Sequence, residues 1–355
     1  MSKRDFTKYI HIGFPKNFST SLQRGFFSEH PQIMHLGIGC QNNNTKYYNE
    51  KLTAFMEMYV RYSKNFIYED NEVKIKEEFN KLFQIAENDK NIKAVGISAE
   101  ILSISFSPQD VDVVEKANRM KGIFGEGTKI IIFIRNQMDL LQSFYRECVR
   151  VGYPYSYKTF LDYQYKYHAK AFSSDFLYDK SIKLYSQLFG KENVIVIPYE
   201  SVKDLSNGQL IKENKKLKIL NTMCEFLNID YVDLKFEYHN ASISDSETVY
   251  KQELNQKYPH DISNITYDFI ESHRLNDYFE NELKISHFKP DFHDVKIKRK
   301  SLTEALEMTN NMGKRSIDYS CDEIIRNRLY MMYAESNRKL MQMTSLDLTK
   351  YNYPF

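Results

Sequence analysis

The chain has 355 residues, 42% hydrophobic and 27% charged, with a mean hydropathy of −0.56, which is the composition of one large or two ordinary globular domains and excludes a disordered or fibrous chain. Lysine plus arginine (49) nearly balances aspartate plus glutamate (47), a net charge of +2, so no global basic field favours nucleic acid and any anionic ligand must be held by a local cluster. The longest aliphatic and aromatic run is Ile130–Ile134, against the roughly 18 residues a membrane span needs, and MSKRDFTKYIHIG lacks a signal-like apolar stretch; the expectation is a cytoplasmic chain without a transmembrane segment.

Four short segments, β-branched, apolar and bounded by turn or polar residues, predict strands buried on both faces: Tyr9–Phe14, Lys93–Ser98, Lys129–Ile134 and Asn193–Ile197. Stretches of helical period lie around them at 19–29, 50–62, 72–88, 109–122, 137–150, 175–189, 213–227, 261–284 and 320–343. Strand alternating with helix predicts an α/β fold, with a mostly parallel central sheet flanked by helices. With no repeat or linker, residues 1–355 read as one domain, 1–200 holding the sheet and 201–355 forming a mainly helical part packed on it. The last ten residues, LDLTKYNYPF, carry aromatic anchors that suit a docked terminal segment. In parallel sheets ligands bind beyond the carboxyl ends of the strands, so the residues that follow each strand are where chemistry is expected.

Cys40, Cys148, Cys224 and Cys321 show neither CxxC nor Cys/His spacing, so neither a zinc site nor a disulfide framework is indicated. The Asn-x-Ser/Thr triplets at Asn17, Asn43, Asn240 and Asn264 are read as chance matches in an Asn-rich chain.

Two segments carry chemistry. In YIHIGFPKNFSTSLQ a strand runs through a turn into a helix starting near Ser19, and Ser19, Thr20 and Ser21 place three hydroxyls beside the unpaired N–H groups of its first turn. Such a terminus cradles phosphate, with Lys16 as an added point charge. The GxxxxGK[ST] pattern is absent, and the same residues also suit a Ser-capped helix beside a surface lysine. In KIIIFIRNQMDLLQSFYRECVRVG, Arg135 stands at the end of the most apolar strand and Ser143 near the second turn of the next helix, where both can converge on one anion. Met138, Leu141, Tyr145 and Cys148 form the stripe expected to face the sheet, with Asp139, Ser143 and Arg146 opposite. An Arg135–Asp139 ion pair is the plainer alternative.

Together, in this order and spacing, the two motifs resemble those of the 3′-phosphoadenosine 5′-phosphosulfate (PAPS)-dependent sulfotransferases, with a PKxGTT-like loop after the first strand and an RxPxxxxxS segment after a central one. VIPYESVKDL with FLNID, NASIS at Asn240 and ESNRKLMQMTSLDLTKYNYP resemble the bacterial, carbohydrate-directed branch; residues 40–90 and 245–315 match nothing in it. The resemblance implies a P-loop-like sulfotransferase fold and transfer of a sulfuryl group from PAPS to an acceptor hydroxyl on a small molecule or glycan, such as a glycolipid or polysaccharide precursor. The product is adenosine 3′,5′-bisphosphate, and no metal is required. It places Lys16, Asn17, Phe18, Ser19, Thr20 and Ser21 at the 5′-phosphosulfate and Arg135 and Ser143 at the 3′-phosphate. Phe18 departs from the family's glycine and Gln137 from its proline. Glu100, just past a predicted strand in KAVGISAEILS, is the expected base, or else a helix cap. His11 reads as a core histidine, and Lys314 and Arg315 as a solvated pair or a basic closing loop. Two other readings remain at this point, a nucleoside or sugar kinase with a degenerate P-loop and a non-catalytic nucleotide- or glycan-binding relative; the acceptor and oligomeric state stay open.

Overall fold

The computed structural model describes residues 6–37, 46–105, 110–150, 152–203, 209–236, 243–257 and 293–355. Five strands, β1 (Thr7–Gly13), β2 (Ile33–His35), β3 (Ala94–Ser98), β4 (Lys129–Ile134) and β5 (Val194–Pro198), form one parallel sheet in the order β2-β3-β1-β4-β5. The expected strands are all present with slightly shifted ends. β2 is an addition: three residues are too few to show a period. From β1 the chain goes to one edge and back, then crosses to β4 and β5, so the order reverses at β1, and in sheets of this kind ligands bind beyond the carboxyl ends of the strands at the reversal, here β1 and β4.

Around the sheet lie α1 (Ser19–Leu22), continued by a π-helical turn Gln23–Phe27; α2 (Glu50–Phe55), continued by a π-helical turn Met56–Arg61; α3 (Asn65–Asn88); α4 (Val113–Phe124); α5 (Gln137–Arg150); α6 (Tyr157–Lys166); α7 (Tyr178–Phe189); α8 (Lys218–Leu227); α9 (Asp245–Lys257); and two C-terminal helices, His293–Met312 and Glu323–Met343. α6, α9 and His293–Met312 were not expected. Tyr157, Phe160, Tyr163 and Tyr165 make α6 a poor intrinsic helix, and the Ser156 side chain caps it by accepting the Thr159 N–H. The helix expected over 213–227 begins only at Lys218, because Asn214 and Lys215 take left-handed φ values of 50° and 67° in a tight hairpin between Lys212–Glu213 and Lys216–Leu217. The helix expected over 261–284, together with Cys40, Asn43, Asn240 and Asn264, lies outside the described residues.

Side chains alternate across each strand, so both faces of the sheet are buried in separate cores. Ile10, Ile12, Ile130, Ile132 and Ile134 face α3, α4, α5, α7 and the final helix, while Tyr9, Ile131 and Phe133 face α1 with its π-helical extension and α8. Gly96 in β3 is required by close approach: a Cβ there would sit 2.0 Å from the Tyr9 carbonyl oxygen and 2.6 Å from its ring. Cys148 and Cys224 are buried thiols.

The second core contains a polar seam. His11 Nδ1 lies 2.7 Å from Ser98 Oγ, which also accepts the Gln23 amide at 2.9 Å, so the helix after the β1 loop is tied across β1 to β3. His35 Nδ1 lies 3.0 Å from the Tyr9 hydroxyl. Burial holds both imidazoles neutral, pulling His11 from 6.5 down to about 3, with His35 nearby adding to the effect, and His35 down to about 4. These values lie below that of the unfolded chain, so stability is full above about pH 6.5 and is lost as pH falls towards 4 and below, each histidine contributing a slope of up to about 1.4 kcal/mol per pH unit. Urea unfolding at pH 7.5 and 5 is expected to show this loss, and His35→Phe to make it shallower; equal pH dependence in wild type and variant would contradict a neutral buried His35.

Candidate active site

The β1 loop is pinned to β4. A register shift between His11 and Gly13 re-aims the end of β1, and Gly13 takes φ 97°. The Phe133 carbonyl then accepts both the Phe14 N–H at 2.7 Å and the Asn17 side-chain amide at 3.0 Å. Lys16 and Phe18 have φ of 64° and 75° while Asn17 between them is not in the positive-φ region, an alternation of hand of the kind that forms anion-binding backbone nests. α1 follows with Phe18 as its N-cap and no side-chain cap.

Phe18 reaches the left-handed region that glycine would occupy freely. An L-residue there costs roughly 1–2 kcal/mol. The ring offsets this by full burial, with centroids 5.4 Å from Phe236 and 6.4 Å from Phe133, since burying a phenylalanine contributes about 1.5–3 kcal/mol. The turn survives because an aromatic pocket holds the side chain.

Arg135 reaches the loop. Its Nη1 donates to the Lys16 carbonyl at 3.3 Å, its guanidinium lies 5.0 Å from the Tyr199 ring centroid, and its backbone is clasped by Tyr178, whose hydroxyl donates to the Arg135 carbonyl at 2.7 Å and faces its N–H at 3.3 Å. No Arg135–Asp139 ion pair forms. Asn136 caps α5, its Oδ1 accepting the Met138 N–H at 2.9 Å.

Ser143 is buried, not on the exposed side with Asp139: α5 buries a broad arc that includes Leu140, Phe144 and Glu147, because helices pack on it from several directions. The serine hydroxyl makes no hydrogen bond to another described residue. One turn on, Glu147 accepts from Lys16 Nζ at 3.3 Å and from Arg150 Nε at 3.0 and 3.1 Å. Sequence reasoning passed over Glu147, although its i+4 spacing from Ser143 puts it on the same face.

Ser19 and Ser21 are buried and Thr20 half-buried. Three polar atoms of this cluster are buried without a hydrogen-bond partner among the described residues: Ser19 Oγ, Arg135 Nε and Asn17 Oδ1. Such groups are rare, and two of these can donate to an anion. Glu100 opens a short 3₁₀ turn after β3 and lies against the start of the loop, where a Cβ on Gly13 would come within 3.3 Å of the Glu100 Cα and Cβ. Arg315 pairs at 2.5 Å with Glu253 of α9. Among the described residues no helix is long and apolar enough to cross a membrane, and no group of three His, Cys, Asp or Glu side chains could hold a metal.

No family model matches the chain, and no curated protein matches it. Among solved structures it is similar to a sulfotransferase from Alicyclobacillus acidocaldarius, with 16% identity over 79% of this chain and 98% of that one, at a TM-score of 0.41.

Phe18→Gly tests the balance in the loop. Left-handed strain is relieved, but a buried ring is lost, and aromatic truncations cost about 3–5 kcal/mol, so a net destabilisation of about 1–4 kcal/mol is expected by urea unfolding. A variant as stable as wild type, or more so, would mean that the strain matches or outweighs what the aromatic pocket contributes.

Proposed function

We propose that the protein is a sulfotransferase that moves a sulfuryl group from PAPS to a carbohydrate hydroxyl, within a single domain spanning residues 1–355. The observation that carries this reading is the Arg135–Lys16 contact, which brings the two phosphate-type motifs into one cluster beside unpartnered donors at Ser19 and Arg135. A nucleotide with phosphates at both ends of its ribose suits two neighbouring anion sites better than ATP does. The donor set fits PAPS: the loop N–H groups, Lys16 and the Ser19, Thr20 and Ser21 hydroxyls for the phosphosulfate, and Arg135 with Ser143 for the 3′-phosphate.

PAPS supplies an activated sulfuryl group. The acceptor oxygen forms a new S–O bond as the bond from sulfur to the bridging phosphate oxygen breaks, and the acceptor proton passes to a base. Lys16 and the loop N–H groups stabilise the negative charge that grows on the leaving phosphate. Glu100, beside the loop at the carboxyl edge of β3, takes the proton. Arg135, held by Tyr178 and stacked on Tyr199, acts on donor affinity and positioning.

Adenosine 3′,5′-bisphosphate at 100 times its dissociation constant is expected to stabilise the fold by about 2.7 kcal/mol, a rise of a few degrees in melting temperature, and ADP at the same concentration by far less. Equal shifts from the two nucleotides would remove the 3′-phosphate from Arg135 and Ser143 and restore the kinase reading.

Single-turnover transfer separates the catalytic roles. Lys16→Ala should abolish nearly all transfer in a folded protein, and Glu100→Gln should lower turnover by about 10²–10⁴ while leaving donor affinity unchanged. Wild-type turnover in Glu100→Gln with a lowered melting temperature would make Glu100 a cap, and the same outcome in Lys16→Ala would move the reaction centre away from the loop.

A further inference from the structure

The two-residue link between β4 and α5 is held by the far end of the chain. The Asn136 N–H donates to Glu200 Oε1 at 2.9 Å, and the Tyr353 hydroxyl donates to Glu200 Oε2 at 2.8 Å. The Asn136 side-chain amide donates to the Asn352 carbonyl at 2.5 Å. Next along, Gln137 and Asn337 exchange side-chain hydrogen bonds at 2.8 and 3.1 Å, and Asn337 also donates to the Pro354 carbonyl at 3.0 Å. Gln137 and Asn337 are fully buried, and Tyr353 is 2% exposed.

Glu200 stands where a carboxylate is costly. It is half-buried beside Arg135, and its negative charge opposes any anion that Arg135 would hold. Burial raises its pKa, against the Asn136 N–H, Glu200's own N–H, the Tyr353 hydroxyl and the charge of Arg135, all of which favour the ionised form. Its neighbour Tyr199 supplies the ring beneath the Arg135 guanidinium. Anchoring Glu200 therefore fixes the 3₁₀ turn Tyr199–Ser201, and with it the surface on which Arg135 lies.

We infer that Glu200 and Tyr353 are positioning residues for the 3′-phosphate subsite, which makes the docked C-terminal segment part of the donor site. The inference rests on the sulfotransferase reading and names a further determinant of its donor affinity. Tyr353 touches no ligand; it acts through Glu200, Asn136 and Tyr199 on the placement of Arg135.

The experiment compares two probes by calorimetric titration of the full chain: adenosine 3′,5′-bisphosphate, and adenosine 5′-phosphosulfate, which lacks the 3′-phosphate. Tyr353→Phe, which removes one donated hydrogen bond, should weaken the bisphosphate about three- to tenfold and leave the phosphosulfate unchanged. Glu200→Gln keeps an acceptor for the Asn136 N–H but removes the charge that opposes a bound 3′-phosphate. Its loss should therefore be smaller than that of Tyr353→Phe or turn into a gain, confined in either case to the bisphosphate, and the test survives poor folding of either variant. Equal losses for both probes, or none for either, would overturn the inference and reduce the tail to a structural clamp. Failure of the underlying reading shows up separately, in wild-type protein that holds the bisphosphate no more tightly than ADP, and the inference falls with it.

Discussion

The candidate site depends on one acceptor, the Phe133 carbonyl near the end of β4, a strand buried on both faces. It takes a backbone hydrogen bond from Phe14 and a side-chain one from Asn17, and so fixes the path of the β1 loop on β4. Arg135, two residues further, can then reach back to the Lys16 carbonyl. That anchor and the aromatic pocket around Phe18 together hold the left-handed turns at Lys16 and Phe18, each disfavoured locally and neither a glycine. The sheet makes the anchor rigid: β4 lies between β1 and β5, with apolar side chains packed on both faces.

Polar burial follows a pattern across this region. The seam of Tyr9, His11, Gln23, His35 and Ser98 is largely paired and ties the loop helix to the strands. His11 Nε2, buried without a partner, is its exception. The loop itself is less complete, with Ser19 Oγ, Arg135 Nε and Asn17 Oδ1 left without a partner among the described residues. A buried donor left without an acceptor costs about 1–3 kcal/mol, so two in adjoining elements are a cost that a bound anion would remove.

The parallel sheet was legible because β-branched runs such as KIIIFI alternate with longer periodic stretches, and the convergence of Lys16 and Arg135 was legible because both follow strands of that sheet. The conformation of Phe18 was foreseen only as a difficulty. Its resolution needs Phe236, a contact from 218 positions away in the chain that no local pattern announces. Tyr353 on Glu200 is of the same kind, spanning 153 positions. β2 escaped notice because three residues carry no period, and α6 because tertiary packing and the Ser156 cap override the weak propensity of four aromatics. Glu147 was the avoidable omission, since helical spacing alone aligns it with Ser143.

Glu147 also bears on how the site would accept a ligand. Lys16 and Arg150 share its carboxylate, and Arg150 alone supplies more than one hydrogen bond to it. An incoming phosphosulfate can therefore draw the Lys16 ammonium away without leaving a buried carboxylate unpaired, a condition whose violation costs several kcal/mol. Lys16 is itself only partly buried, with 27% of its side chain exposed, so the exchange moves a flexible ammonium and not a packed one. Arg135 differs in every respect: its guanidinium is stacked, its backbone is clasped by Tyr178, and it sits over an anchored turn. On the proposed reading the two cations divide the work along these lines, the fixed one selecting the donor and the movable one following the charge as the bond to sulfur breaks.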